Sequence, residues 1–152
     1  MAIKKVLNPL IILKLILGYF TFFAPPPIKK YLLLIRGVKF KNISSTWIGF
    51  GSIFDNKHPE LIEIGNNVVI SSNVKILSHS EPPLSFKKFG INYITKQTKI
   101  SSNVYIGAGS IILPGITINE FCIIGAGSVV TKNVPNHCIF AGNPAEFIKK
   151  ID

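Results

Sequence analysis

Cysteine is scarce in this sequence: two residues, Cys122 and Cys138, in a chain of 152. Cys122 occupies an inward-facing position of the repeat described below, and Cys138 follows Pro135 in the closing segment. This excludes a disulfide framework, and we expect two free, buried thiols. Such thiols are typical of a reducing compartment and favour neither a nucleophile nor a metal ligand.

Acidic residues are also few, with seven Asp and Glu against 17 Lys and Arg, and the first 41 residues contain none. That segment holds eight basic residues: Lys4, Lys5, Lys14, Lys29, Lys30, Arg36, Lys39 and Lys41. It therefore accounts for +8 of the net charge of +10, and the other 111 residues supply +2. Because the rest of the chain is nearly balanced, we expect no nucleic-acid partner.

No apolar run is long enough to predict a simple membrane span. Asn8 and Pro9 predict a helix start, and the apolar segment that follows ends near Phe23. A helix of ~15 residues is roughly 22 Å long, against ~30 Å for the hydrocarbon core of a bilayer. The prolines after Ala24 argue against a signal-peptide cleavage site. A second amphipathic segment runs from Ile28 to Gly37, a plausible C-cap.

What the sequence does contain is a six-residue repeat over residues 100–134. An aliphatic residue returns at every sixth position: Ile100, Ile106, Ile112, Ile118, Ile124 and Val130. The residue two places before each of these is also suited to a buried position, and two buried residues separated by one exposed residue are the alternation of a β-strand. The three residues after each aliphatic residue are mostly Gly, Pro, Asn and Ser, which favour a turn. Each unit is therefore one short strand and one corner, and stacked units predict a parallel β-helix.

The repeat starts near Thr46 and is interrupted twice. Residues 55–60 form a first loop, and the longest excursion from the repeat covers residues 77–98. We expect an N-terminal helical region at 1–41, a β-helix at 42–144 and a short capping helix at 145–152. Long loops on rigid scaffolds concentrate binding residues, so the excursion is the first place to look for chemistry.

Three segments carry a family resemblance: YIGAGSIILPGITI, IIGAGSVVTKNVP and AGNPAEFI. They resemble the C-terminal part of the galactoside, maltose and xenobiotic O-acetyltransferases, which are hexapeptide-repeat acyltransferases. The N-terminal segment is similar to that of envelope-polysaccharide acetyltransferases. The resemblance implies a left-handed β-helix, although the general rule for parallel crossovers favours the right hand. The regular register and the flat outer faces of such a solenoid, which a monomer would leave underused, predict a homotrimer with each cleft between two subunits. The resemblance also implies acetyl-coenzyme A (acetyl-CoA) as acyl donor.

His79 stands where the regular core ends and the excursion begins. Acyl transfer from a thioester needs a base that works near neutral pH, and imidazole suits that role. A surface loop histidine is the alternative, but the family places a histidine just before this loop, which favours a general base. His58 and His137 are expected to be loop histidines without a carboxylate partner. The three are 21 and 58 residues apart, so no close pair predicts a metal site.

The two Gly-Ala-Gly corners lack a following helix, so they do not predict a phosphate-binding loop. In the family such corners border the coenzyme groove, and the resemblance implies contacts from Ala108, Ala126, Thr131 and Lys132. A solvated corner lysine is the alternative for Lys132. Glu146 stands where relatives usually have Arg or Lys, which leaves a phosphate contact to Lys149 or to its neighbour Lys150.

Two residues are candidates for the acceptor. Asp55 lies in the first loop, which can approach the long excursion from the adjacent coil, with a solvated loop as the alternative. Tyr105 stands where many relatives have Trp, so it can provide an aromatic wall. We expect direct O-acetyl transfer to a sugar or glycan hydroxyl in the cytoplasm, or else a non-catalytic scaffold. Residues 1–41 either contact the cytoplasmic face of a membrane or fold over the first coil.

Overall fold

The structure, a computed structural model, describes residues 9–152, except for the side chains of residues 10, 11, 14 and 15. Helix α1 spans Pro9–Phe23 and helix α2 spans Pro26–Ile35, so both predicted N-terminal helices are present. The predicted cap Asn8 lies outside the described residues. Neither helix, within the range described, has the length and apolar character needed to cross a membrane.

Sixteen short strands follow the helices. They are β1 Lys39–Phe40, β2 Trp47–Ile48, β3 Ile53–Phe54, β4 Ile62–Ile64, β5 Val69–Ile70, β6 Lys75–Ile76, β7 His79–Ser80, β8 Ile94–Thr95, β9 Thr98–Ile100, β10 Tyr105–Ile106, β11 Ile111–Ile112, β12 Thr117–Ile118, β13 Ile123–Ile124, β14 Val129–Val130, β15 Cys138–Gly142 and β16 Ala145–Lys150.

Three parallel sheets form the solenoid. Sheet A contains β1, β4, β9 and β12; sheet B contains β2, β5, β10, β13 and β15; sheet C contains β3, β6, β11 and β14. Successive strands pass from A to B to C, and each pairs with the strand one coil away, as a parallel β-helix requires. The first coil starts at β1, earlier than the predicted start near Thr46, because Phe40 pairs in register with Ile64.

The six-residue repeat sets the register between coils. Ile106 pairs with Ile70 below it and Ile124 above it, and all three are fully buried. The polar inward positions Ser110 and Ser128 are buried as well, and their hydroxyls donate to backbone carbonyls at the preceding corners. Each buried Ile side chain contributes about 1.5–3 kcal/mol, so the stacked coils form one continuous core.

Three lines of corners run along the solenoid, and they are named here by the sheets they join. The B–C corners include residues 107–109 and 125–127, the two Gly-Ala-Gly units. The C–A corners include the first loop, the excursion and residues 131–133. The excursion is a loop that extends outward from its corner, and it contains a 3₁₀ turn at Leu84–Phe89 and a small hairpin of β7 and β8.

Helix α2 covers the first coil. Leu33 is buried in the core, and the Lys29 ammonium donates to the carbonyls of Gly49 and Ser52 at 3.3 and 3.5 Å. Arg36 is also buried. Lys29 and Arg36 therefore do not point to water, and their hydrogen bonds hold the helices to the solenoid.

The C-terminal segment is a strand rather than the predicted capping helix. Strand β16 turns back after Gly142 and pairs antiparallel with β15, with Gly142 opposite Ala145 and Ile139 opposite Lys149. Sheet B would otherwise end in a row of unpaired backbone groups. The hydrogen bonds that residues 145–150 form with this edge therefore outweigh any local preference of the segment for a helix.

Candidate active site

His79 lies at a C–A corner, at the root of the excursion. Strand β6 ends at Ile76, and His79 opens β7, which pairs with Thr95 of β8. The root is closed by the hydroxyl of Thr98, which donates to the carbonyl of Leu77 at 2.6 Å. The excursion therefore leaves and rejoins the solenoid at one place, and this fixes the backbone of His79.

Asp55 occupies the same corner one coil earlier, because Phe54 and Ile76 are register partners. Its carboxylate accepts five hydrogen bonds. Oδ1 accepts the backbone N–H groups of Lys57 and His58, both at 2.9 Å. Oδ2 accepts the backbone N–H groups of Ser78 and His79 at 2.9 and 3.0 Å, and the His79 Nδ1 at 2.6 Å.

These hydrogen bonds keep Asp55 ionised although its side chain is fully buried. Burial raises the pKa of Asp55, but the hydrogen bonds, led by that from the His58 amide, outweigh burial and lower the pKa to about 2. A carboxylate is present at any physiological pH, and it faces the His79 ring.

The carboxylate fixes the tautomer of His79. An ionised Asp55 can only accept hydrogen bonds, so Nδ1 of His79 carries the proton and Nε2 keeps its lone pair. The His79 side chain is 24% exposed, so a substrate can reach it. An oriented imidazole with a free Nε2 is equipped to remove a proton from a hydroxyl group.

His58 and Tyr93 surround the same imidazole. The ring centroids of His58 and Tyr93 lie 5.7 and 6.1 Å from that of His79, and His58 Nε2 is 2.8 Å from the Tyr93 hydroxyl. His58 Nδ1 also lies 3.3 Å from a Glu60 carboxylate oxygen. The expectation that His58 lacks a carboxylate partner is wrong, because the first loop brings Glu60 next to His58 beside the Asp55–His79 pair.

The first loop and the excursion are held together, as expected from their adjacent coils. Lys57 forms an ion pair with Glu81 of the excursion, and its ammonium lies 5.6 Å from the Tyr93 ring centroid. Asp55 is predicted to contact the acceptor, but the structure leaves its carboxylate no exposed surface. Its carboxylate is buried and fully used by backbone amides and His79, so it positions the imidazole instead.

The structure separates Tyr105 from this corner. Tyr105 lies on the outer face of sheet B, where its hydroxyl accepts from the Ser71 hydroxyl at 3.1 Å. It borders a shallow depression of about 340 Å³ with Phe121 and Ile123. His137 stacks on Phe121 with ring centroids 4.9 Å apart, so it too lies at a different place from His79.

The residues expected to contact the coenzyme fall on two corners. Ala108 and Ala126 are neighbours at the B–C corners, linked by a 2.8 Å hydrogen bond from the Gly127 N–H to the Ala108 carbonyl. A Cβ on Gly107 would lie 2.5 Å from the Ala126 nitrogen, so glycine is required for this close stacking. Thr131 and Lys132 are exposed at a C–A corner, two coils above the His79 corner.

Lys132 forms an ion pair with Glu146 at the start of β16. Lys149 is exposed on the same strand. Glu146 therefore lies next to the lysine expected to contact a coenzyme phosphate. The sequence alone did not indicate this pairing, because it depends on β16 being a strand that returns along β15.

Neither thiol belongs to the site. Cys122 and Cys138 are free and buried, and both sulfurs donate to the carbonyl of Pro135, at 2.8 and 2.9 Å. Burial raises the pKa of the Cys122 thiol, which disfavours a thiolate. Within residues 9–152, no group of three or more His, Cys, Asp or Glu side chains is arranged to hold a metal ion.

Comparison with known proteins shows which proteins this chain resembles. Residues 97–132 match the model described as bacterial transferase hexapeptide (six repeats). A galactoside O-acetyltransferase of Lactococcus lactis is 34% identical over 120 residues, which cover 74% of this chain and 58% of that protein. Protein CapG of Staphylococcus aureus is 48% identical over 95 residues, covering 62% of this chain and 55% of CapG.

A solved structure extends the likeness to the whole fold. The maltose O-acetyltransferase of Clostridium difficile 630 aligns with a TM-score of 0.71 and 26% identity, covering 97% of this chain and 91% of that one. The fold and the repeat are thus similar to those of hexapeptide-repeat transferases. The resemblance to the hexapeptide-repeat acyltransferases is confirmed. The chain spans about half the length of the curated relatives that it matches.

Proposed function

We propose that the protein is an acetyl-CoA-dependent O-acetyltransferase that acts on a hydroxyl of a sugar or glycan. The observation that supports this most is the Asp55–His79 pair, with its 2.6 Å hydrogen bond at the root of the excursion. A buried carboxylate that orients an accessible imidazole is the arrangement of a general base. The names of the relatives supply the class of reaction.

The proposed reaction is direct transfer. His79 Nε2 removes the proton of the acceptor hydroxyl, and the oxygen attacks the thioester carbonyl of acetyl-CoA. A backbone N–H donates to the oxyanion that forms. The carbon–sulfur bond then breaks, and the His79 imidazolium protonates the departing thiolate, which gives an acetyl ester and free coenzyme A. A covalent acetyl-enzyme is not part of the proposal, because both thiols are buried and hydrogen-bonded.

His58 and Tyr93 are proposed as acceptor-binding residues in place of Asp55. Their side chains are partly exposed and border the imidazole that would take the proton. A second sugar hydroxyl can exchange hydrogen bonds with the imidazole or the phenol. The Tyr93 ring also offers an apolar face to a sugar ring.

The coenzyme site is proposed to lie between subunits of a homotrimer with left-handed coils. Ala108 and Ala126 are at one line of corners, whereas His79, Thr131 and Lys132 are at the next, one sheet away. An extended ligand that touches both lines is best held in a cleft shared by two chains, and Tyr105 would reach the acceptor only across such a cleft. Exposed ion pairs contribute about 0–1 kcal/mol, so a coenzyme phosphate can compete with Glu146 for Lys132. Lys149, on the same strand as Glu146, is proposed as a further phosphate contact.

Coenzyme A should raise the melting temperature of this protein, since a ligand that binds only the native state stabilises it. At a hundred times the Kd the gain is about 2.7 kcal/mol. Lys132→Gln should need more coenzyme for the same shift, whereas Lys39→Gln, an exposed lysine on β1 of sheet A in the first coil, should behave as wild type. An unchanged melting temperature with coenzyme A would favour the non-catalytic scaffold.

Peripheral membrane contact of residues 1–41 is also proposed, in keeping with a lipid-carried acceptor and a cytoplasmic coenzyme. Helix α1 exposes Leu13, Ile16 and Phe20 at helical spacing on one face. Basic residues near an anionic leaflet gain about 1 kcal/mol each. Helix α2, by contrast, packs on the first coil, so α1 is the part available to a membrane.

Vesicle flotation tests this contact. The full chain should float with anionic vesicles at low salt, and a variant with Leu13, Ile16 and Phe20 replaced by Ser should float far less. Equal flotation of the two proteins, or none by wild type, would show that α1 only covers the solenoid.

A further inference from the structure

A cavity of about 280 Å³ lies between helix α1 and the first coil, and it is called the α1 cavity here. This volume is near the lower end of the ~300–1,000 Å³ of small-molecule sites. Its apolar lining includes Phe22, Phe23 and Ile53, with Tyr19 beside them. Tyr19 and Phe23 are also largely exposed, so they form its solvent side.

The polar wall of this cavity is the buried guanidinium of Arg36. Nη1 donates to the Thr21 hydroxyl at 3.1 Å, and Nη2 donates to the Asp55 carbonyl at 3.0 Å and the Asn56 side-chain oxygen at 2.8 Å. Nε has no hydrogen-bond partner in the part of the chain that the structure describes. All acceptors of Arg36 are neutral groups, although its charge is permanent.

The charge around the α1 cavity is unbalanced. Lys29 is a second buried cation, and it too binds only carbonyl oxygens. Over residues 9–152, neither cation has a carboxylate within ion-pair distance. The ionised Asp55 carboxylate interacts electrostatically with Arg36, but its hydrogen bonds go to His79 and backbone amides, and its single charge can balance at most one of the two cations. Burying unpaired charge is costly, so the site favours an added anion.

We infer that the α1 cavity binds an anionic amphiphile, with a carboxylate or phosphate head on Arg36 and an apolar chain between the aromatic residues of α1. At about 30 Å³ per water-sized group, the cavity holds about nine such groups, which suits the head group and the first carbons of one alkyl chain. The rest of a longer chain would lie on the solvent side, against the exposed rings of Tyr19 and Phe23. This site is separate from the acyl-transfer site, and its existence does not depend on the proposed reaction.

The test is calorimetric titration of the full chain with decyl phosphate below its micellar concentration, with decanoate as a second probe. Saturable binding of either probe is expected, and the better one identifies the head group. Inorganic phosphate and neutral decyl maltoside should bind far more weakly, since each lacks one half of the ligand. Titration with anionic vesicles shows whether the site also takes a bilayer lipid. A wild-type protein that binds neither decyl probe would overturn the proposal.

Arg36→Gln should weaken binding by about tenfold or more, the effect of losing a charged hydrogen-bond partner. Lys39→Gln removes the same charge from an exposed position outside the cavity and should bind as wild type. If Arg36→Gln does not fold, Phe23→Ala and Phe20→Ala decide the question. Both side chains are exposed on α1, but only Phe23 lines the cavity. Equal binding by the two phenylalanine variants, or wild-type binding by Arg36→Gln, would contradict the inference.

Discussion

His79→Ala should lower kcat on the order of 10²–10⁴-fold, because the variant lacks the group that takes the acceptor proton. The melting-temperature shift with coenzyme A should persist, since His79 is proposed to act on the acceptor hydroxyl and is not among the residues proposed to contact the coenzyme. The rate is measured as thiol release from acetyl-CoA in the presence of a panel of sugar acceptors.

His137→Ala is the matched control. His137 is an exposed histidine that stacks on Phe121 at a different corner, so its loss should leave kcat unchanged. Turnover by His79→Ala at the wild-type rate would refute the assignment of the base. A loss of similar size in His137→Ala would point to damage of the fold rather than of the site.

Asp55→Asn should lower kcat nearly as much, on the order of 10²–10⁴-fold, because the proton of the His79 ring would no longer be held on Nδ1. The amide can accept on only one side, so it cannot satisfy both the loop amides and Nδ1 of His79. Nitrogen NMR of the histidine ring should show a single tautomer with Nδ1 protonated in wild type and a mixture in the variant. Normal tautomer populations together with lost activity would contradict a positioning role.

The same residue predicts a loss of stability in acid. The pKa of Asp55 is lowered to about 2 in the folded protein, so the folded state favours the carboxylate relative to the unfolded chain. The stabilisation, on the order of 2 kcal/mol, is present above the unfolded pKa of ~3.9 and disappears as pH falls toward 2. Asp55→Asn should flatten this part of the stability curve, and an identical acid dependence in both proteins would argue against the ionised carboxylate.

The repeat made the solenoid predictable, because each Ile at the sixth position has a register partner in the coils on either side. It also placed His79 at the end of a regular strand. The proximity of Asp55 to His79 could have been predicted for the same reason, because Phe54 and Ile76 are register partners and the residues after them share a corner. The sequence did not show that the Asp55 carboxylate is buried and accepts hydrogen bonds from four backbone N–H groups.

Other features depend on contacts that no pattern encodes. Tyr93 reaches His58 from the far side of a long excursion whose internal path is set by its own packing. The segment after Ala145 became a strand because sheet B offered an open edge. Lys29 and Arg36 are buried because carbonyls of the first coil accept their hydrogen bonds, whereas composition alone favours exposed positions for both.

The most direct measurement is the fate of a labelled acetyl group. The protein is mixed with acetyl-CoA that carries a labelled acetyl group and with a panel of sugars and glycans, and the products are separated and analysed by mass spectrometry. Our account predicts a labelled O-acetyl ester on at least one acceptor with wild type, and almost none with His79→Ala. Label that remains on the coenzyme across the whole panel, or an equal ester yield from His79→Ala, would contradict it.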